Sequence, residues 1–205
     1  MALLNMEQQQ KIADLIRAIE SRSDAELVTV LATRSDSYNY ITLMWAAIFA
    51  LLAPVVVLML PFWLETRDIV LLQCGLFLVL ALIFRIPGLL FVIVPKRIRF
   101  WRAANMARRQ FLDNNLHHTT GESGILIFVS EAERYVEITA DRGINDLVGE
   151  GHWQALVDAF IQSVKAGETF KGFENCLRGC GDVLIAKLPA THTRDELPNH
   201  LVVIA

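Results

Sequence analysis

The sequence predicts an α/β fold: a small mixed β-sheet flanked by helices, an α/β sandwich, interrupted by a transmembrane helical hairpin. Three observations lead to it. Residues 26–33 (ELVTVLAT) and 124–130 (GILIFVS) are continuous apolar runs rich in β-branched side chains, as in strands covered on both faces. Apolar residues recur at helical spacing over 7–22, 97–116, 151–166 and 169–188. Between the first strand and everything after it lie 24 positions, 41–64, without a charge. About 20 such residues cross a ~30 Å hydrocarbon core as a helix, whereas buried core helices are usually shorter.

The elements follow in order. Residues 7–22 place Ile12, Leu15, Ile16 and Ile19 on one helical face. Strand 26–33 comes next, and Tyr38 and Tyr40 then stand where an interfacial aromatic belt is expected. The first membrane helix covers 41–64, with kinks expected at Pro54 and Pro61. Glu65, Arg67 and Asp68 form the tip. The second run, 69–84, is sixteen residues long, or about 24 Å of helix. It is read as ending near Arg85, where Pro87 and Gly88 break it, with 89–94 at the interface; a tilted helix reaching Val94 is the alternative.

Beyond the membrane, 97–116 starts basic and becomes amphipathic, with Trp101, Ala104, Arg108, Phe111 and Leu112 marking its packing face. Residues 124–130 and the alternating run 134–140 (RYVEITA) are four apart and form a hairpin. Gly143 follows, where a turn with positive φ is expected. Two helices, about 151–166 and 169–188, are separated by Gly167, and the tail 189–205 reads as irregular with a turn at 195–198. About forty residues cannot fold alone. Residues 1–36 and 96–188 are therefore two segments of one domain, 41–94 is the hairpin, and 189–205 is a C-terminal tail.

Composition and charge agree. The chain is 54% hydrophobic and 20% charged, with a mean hydropathy of +0.40, against about 25% charged in ordinary soluble domains. Three cysteines in 205 residues exclude a disulfide scaffold. The net charge of −3 hides a polarised chain: −2 over 1–40, 0 over 41–95, +6 over 96–109 and −7 over 110–205. The basic stretch flanks the hairpin, so the positive-inside rule keeps both termini in the cytosol and puts the tip outside. Its leading residues, Lys96, Arg97, Arg99 and Arg102, are expected to meet anionic headgroups, at about 1 kcal/mol each. The aromatic interleaving of a nucleic-acid surface is missing, so no nucleic-acid partner is expected.

The segment GILIFVSEAERYVEITADRGI (124–144), followed by the helix WQALVDAFIQSVKAGETFKGFENCL, resembles the TPM-domain family. The N-terminal helix and AELVTVLAT (25–33) are similar to that family's opening helix and first strand, so the resemblance covers roughly 1–36 and 96–187. A bacterial subset with a two-helix membrane insertion and a tail like Glu196-Leu197-Pro198 is similar too. The resemblance implies a compact TPM-like α/β sandwich, placement in the cell (inner) membrane, and links to divalent-metal binding, acid phosphatase activity and the upkeep of membrane complexes. The segment after the family's second strand, glycine-rich with an aromatic, reads Ala140-Asp141-Arg142-Gly143-Ile144 here.

The candidate chemistry is sparse. Asp141 and Asp146 flank the turn after the second strand, and with Glu26 or Glu137 they offer oxygen ligands for Ca²⁺ or Mg²⁺. The competing structural roles are a turn cap for Asp141 and a helix N-cap for Asp146. The chain has no EF-hand loop and no Cys-x5-Arg, DxDxT or RHG phosphatase motif, and Gly149-Glu150-Gly151 lacks the residues of a phosphate loop. His117 and His118 read as a helix C-terminus, and Cys176 and Cys180, four apart on one helical face, as core packing. The expected function is a non-catalytic interaction or accessory module for membrane-protein assembly or maintenance, with the lipid bilayer and a membrane protein as partners. A divalent-metal-dependent, acid-phosphatase-like hydrolase is the alternative.

Overall fold

A computed structural model of the protein describes residues 4–59, 61, 64–119, 121–191 and 201–204. The chain forms two compact units, Met1–Ser35 with Phe100–Ala205, and Asp36–Arg99.

The first unit is built on a four-stranded sheet of order β3-β2-β1-β4. Strands β1 (Glu26–Ala32) and β2 (Gly124–Ser130) occupy its centre and run parallel, Glu26 beside Gly124 and Ala32 beside Ser130. Every residue of both is buried, which explains their continuous apolar sequence. Strand β3 (Tyr135–Ala140) forms the expected hairpin with β2, lies at one edge and is mostly half-buried. Strand β4 (Leu201–Ile204) occupies the other edge, parallel to β1. The tail thus contributes a strand where the sequence reads as irregular, because a four-residue apolar run has too short a period to read. The turn expected at 195–198, with Glu196-Leu197-Pro198, lies outside the described residues.

Helices cover both faces of the sheet. On one face, α1 (Met6–Glu20) packs Ile12, Ile16 and Ile19 with Leu27, Ile125, Ile127 and residues of α6 (Arg142–Val148), α7 (Glu150–Lys165) and α8 (Thr169–Lys187). A capping box starts α1: Asn5 Oδ1 accepts from the Gln8 backbone amide at 2.8 Å, and Gln8 Oε1 accepts from the Asn5 backbone amide at 3.0 Å. On the other face, Ala103 and Ala107 of α5 (Lys96–Asp113) let that helix approach Val28, Val30, Leu126 and Phe128 closely. The result is the expected mixed sheet between layers of helices.

The second unit contains α2 (Asn39–Leu58), α3 (Thr66–Ile83) and α4 (Pro87–Ile93). The first two are long and apolar enough to cross a membrane, with mean hydropathies of 2.5 and 1.9. Helix α2 continues through Pro54 but stops at Leu58, short of the expected Leu64. Pro61, lacking an amide hydrogen and crowding the residues before it, disfavours a longer helix. Helix α3 ends at Ile83, and α4 starts anew with Pro87 in its first turn, where the missing amide hydrogen costs nothing. Phe49 and Phe84 meet edge to face at 6.3 Å between α2 and the end of α3. Tyr38, Ile41, Leu90 and Val94 form a small buried cluster.

Candidate functional site

The sheet-bearing unit has a groove of about 530 Å³ along the outer edge of β3. Its floor is the strand itself. Phe100 at the start of α5 stands on one side, and Trp153, Val157 and Ile161 of α7 on the other. The hairpin register fixes which backbone groups face it. The Asp141 amide donates to the Gly124 carbonyl at 2.8 Å, so 124 and 141 form a hydrogen-bonded pair. Alternation along an antiparallel ladder then turns Tyr135, Glu137 and Thr139 toward β2, and Val136, Ile138 and Ala140 outward. Among the described residues nothing bonds the outward amide and carbonyl groups of Val136 and Ile138.

The end of the groove is closed by a short relay. Asn145 Nδ2 donates to the outward carbonyl of Ala140 at 2.8 Å, and Asn145 Oδ1 accepts from Trp153 Nε1 at 3.1 Å. Trp153 is thereby held 5% exposed, with its indole nitrogen satisfied. On the α5 side, the Tyr135 hydroxyl donates to Glu137 Oε2 at 2.7 Å, and Thr139 approaches the other carboxylate oxygen at 3.4 Å. Burial, and then the bond to Glu137, push the Tyr135 phenol well above its ordinary pKa, so it stays a donor. Asn145 and Phe100 escape sequence reasoning, since neither residue type announces a groove. The alternation of 134–140 is the signal that could have found it, because alternation marks an edge strand.

The acidic candidates are placed as follows. Glu26 opens β1 beside Gly124, whose carbonyl takes the Asp141 amide, so Glu26 and Asp141 share one end of the sheet across β2. Asp141 is the N-cap of α6, its carboxylate accepting the Arg142 amide at 2.8 Å. Asp146 lies inside α6, 3.8 Å from the Arg142 guanidinium, and does not start a helix. Among the described residues no three His, Cys, Asp or Glu side chains gather as a divalent ion would require.

Of the basic residues at the head of α5, Lys96 and Arg97 are exposed, while Arg99 and Arg102 are half-buried. Arg99 lies 5.6 Å from the centre of the Phe91 ring, and Arg102 5.0 Å from that of Trp101. Both aromatic faces suit a guanidinium. His117 and His118 sit exposed in a single 3-10 turn after α5, their rings 4.0 Å apart. Cys176 and Cys180 are buried in α8, and their mutual hydrogen bond, with burial, holds the Cys180 thiol well above its usual pKa. Both side chains pack in the main hydrophobic core.

Residues 88–183, from α4 to the last turns of α8, match the TPM domain. The solved NMR structure of the BA42 protein from the psychrophilic bacterium Bizionia argentinensis is similar to it with a TM-score of 0.59. That likeness extends over 98% of this chain and 94% of BA42 at 18% identity, and it is one of fold. No curated protein matches the chain. The segment matching the TPM domain holds three sides of the groove, β3, α5 and α7, whereas α1 and β1 precede it.

Proposed function

We propose that the protein is a two-span membrane protein whose TPM domain serves as a non-catalytic accessory module for the assembly or maintenance of membrane proteins. The observation that carries the membrane half is α3: eighteen apolar-rich residues, none of them buried. Leu71, Leu78, Val79 and Leu82 each expose about half of their surface or more, which water penalises and hydrocarbon accepts. Lys96, Arg97, Arg99 and Arg102 then lie against anionic headgroups, and the positive-inside rule puts both termini in the cytosol. The accessory half is supported by the groove, which offers apolar walls and backbone hydrogen-bonding groups to a protein partner.

Alkaline extraction, together with an alkaline phosphatase fused after Ala205, tests the placement. The chain is expected to stay in the membrane pellet and the fusion to be inactive. Extraction into the supernatant, or an active fusion, overturns it. Crosslinking in native membranes, read by mass spectrometry, is expected to recover membrane-protein peptides attached to the TPM domain.

A further inference from the structure

An edge strand with free backbone groups invites pairing, and proteins usually blunt such edges with a proline, a bulge or a covering element. Strand β3 has no proline, and its outward groups face a groove instead of a cover. Of those groups, Asn145 takes the Ala140 carbonyl and leaves both groups of Val136 and Ile138 to a newcomer. We propose that this edge binds an extended segment of a partner protein, which adds as a fifth strand beside β3 and alternates apolar with basic side chains.

The alternation follows from the two walls. Side chains of an added strand point in turn to either face of the sheet. Those on the α7 side meet Val136, Ile138, Val157 and Ile161, all apolar. Those on the α5 side meet Tyr135 and Thr139, with Arg134 lining the Tyr135 end of the groove and the Arg108 charge acting on the phenol, and the Glu137 carboxylate, which is held by hydroxyl donors and in no ion pair among the described residues. A lysine or arginine there is the complementary charge. The charge of −7 over 110–205 attracts the same segment from a distance. Six residues of β3 set the length, since an added strand of that size spans about 20 Å and gains its affinity from the main chain and its selectivity from alternate side chains. This inference names the partner's chemistry for the accessory reading and rests on that reading only for its setting.

The test uses the full chain in zwitterionic nanodiscs and a fluorescein-labelled peptide alternating Val and Lys, read by fluorescence anisotropy. The peptide is expected to bind at least about tenfold more tightly than a Val–Glu alternation, or than a block peptide of the same composition. Ile138→Pro deletes an outward amide and no β2 bond, and is expected to weaken binding about tenfold. Glu137→Lys, which leaves the strand backbone intact, is expected to reverse the preference toward the Val–Glu peptide. Equal binding of all peptides, an unmoved preference in Glu137→Lys, or a concentration-dependent dimer abolished by Ile138→Pro overturns the proposal, the last in favour of β3 pairing with a second copy. If membrane crosslinks persist unchanged in Ile138→Pro, the accessory reading stands and the groove proposal falls.

Discussion

Glu133 is 2% exposed and joins three parts of the chain at one point. Its two carboxylate oxygens accept the Ser35 amide at 3.2 and 3.1 Å, and one also accepts the Ser130 hydroxyl, which in turn receives a bond of 2.9 Å from the Ser35 hydroxyl. Ser35 is the last residue before the second unit, and Ser130 ends β2, so this carboxylate pins the point where the chain leaves the sheet. Glu133→Ala strands a half-buried amide and a buried hydroxyl, which is expected to cost about 1–3 kcal/mol. Glu133→Gln keeps an acceptor oxygen and is expected to lose less. Thermal melts of both variants in detergent measure the order, and an alanine variant as stable as the parent removes Glu133 from this role. Nothing in the local sequence marks Glu133, because the Ser35 amide that it holds lies 98 residues away in the chain. Gly143 teaches the same lesson differently. A turn residue with positive φ is expected there, but it sits in α6, and a Cβ would overlap the Gly121 carbonyl oxygen and lie 2.8 Å from that of Glu122. The position needs glycine for close approach, which only the folded chain reveals.

At the scale of elements, pattern tracks burial. The two continuous apolar runs became the central strands, the alternating run the edge strand, and α1, α7 and α8 turned their apolar stripes to the core, so most of this architecture was legible. What stayed illegible was β4. Its four residues pair Leu201 with Thr29 and Ile204 with Ala32, and it is long-range pairing, not local pattern, that makes them a strand. The approach to it is also tied: the Asp24 amide donates to the Leu188 carbonyl at 3.0 Å, and the Thr191 amide to Asp24 Oδ1 at 3.0 Å. Truncation after Thr191 keeps those ties and removes β4 together with residues 192–200. That uncovers one side of β1, a strand whose seven residues are all buried, and an exposed apolar edge is a template for aggregation. The truncated chain is expected to melt at lower temperature and to elute from gel filtration in detergent as higher oligomers. A monodisperse product with an unchanged midpoint shows that β4 does not protect that edge.

For the whole molecule, the question is whether the sheet-bearing unit depends on the segment inserted into it. The two large clusters answer from their membership: every residue of both lies within 4–32 and 103–204, and none comes from the second unit. The parallel pairing of β1 with β2 requires a crossover connection in any case, and here the hairpin and α5 supply it. A crossover constrains the ends it joins, not what is threaded between them, and closure entropy rises only slowly with loop length. Replacing residues 36–99 by a flexible linker of about ten residues is therefore expected to give a water-soluble chain. Its circular dichroism should show mixed α/β content, and it should unfold in one cooperative step. The opposite result is equally readable. A chain that is soluble yet binds hydrophobic dyes and melts without a transition means that the insertion organises the sheet, and the two units then fold as one.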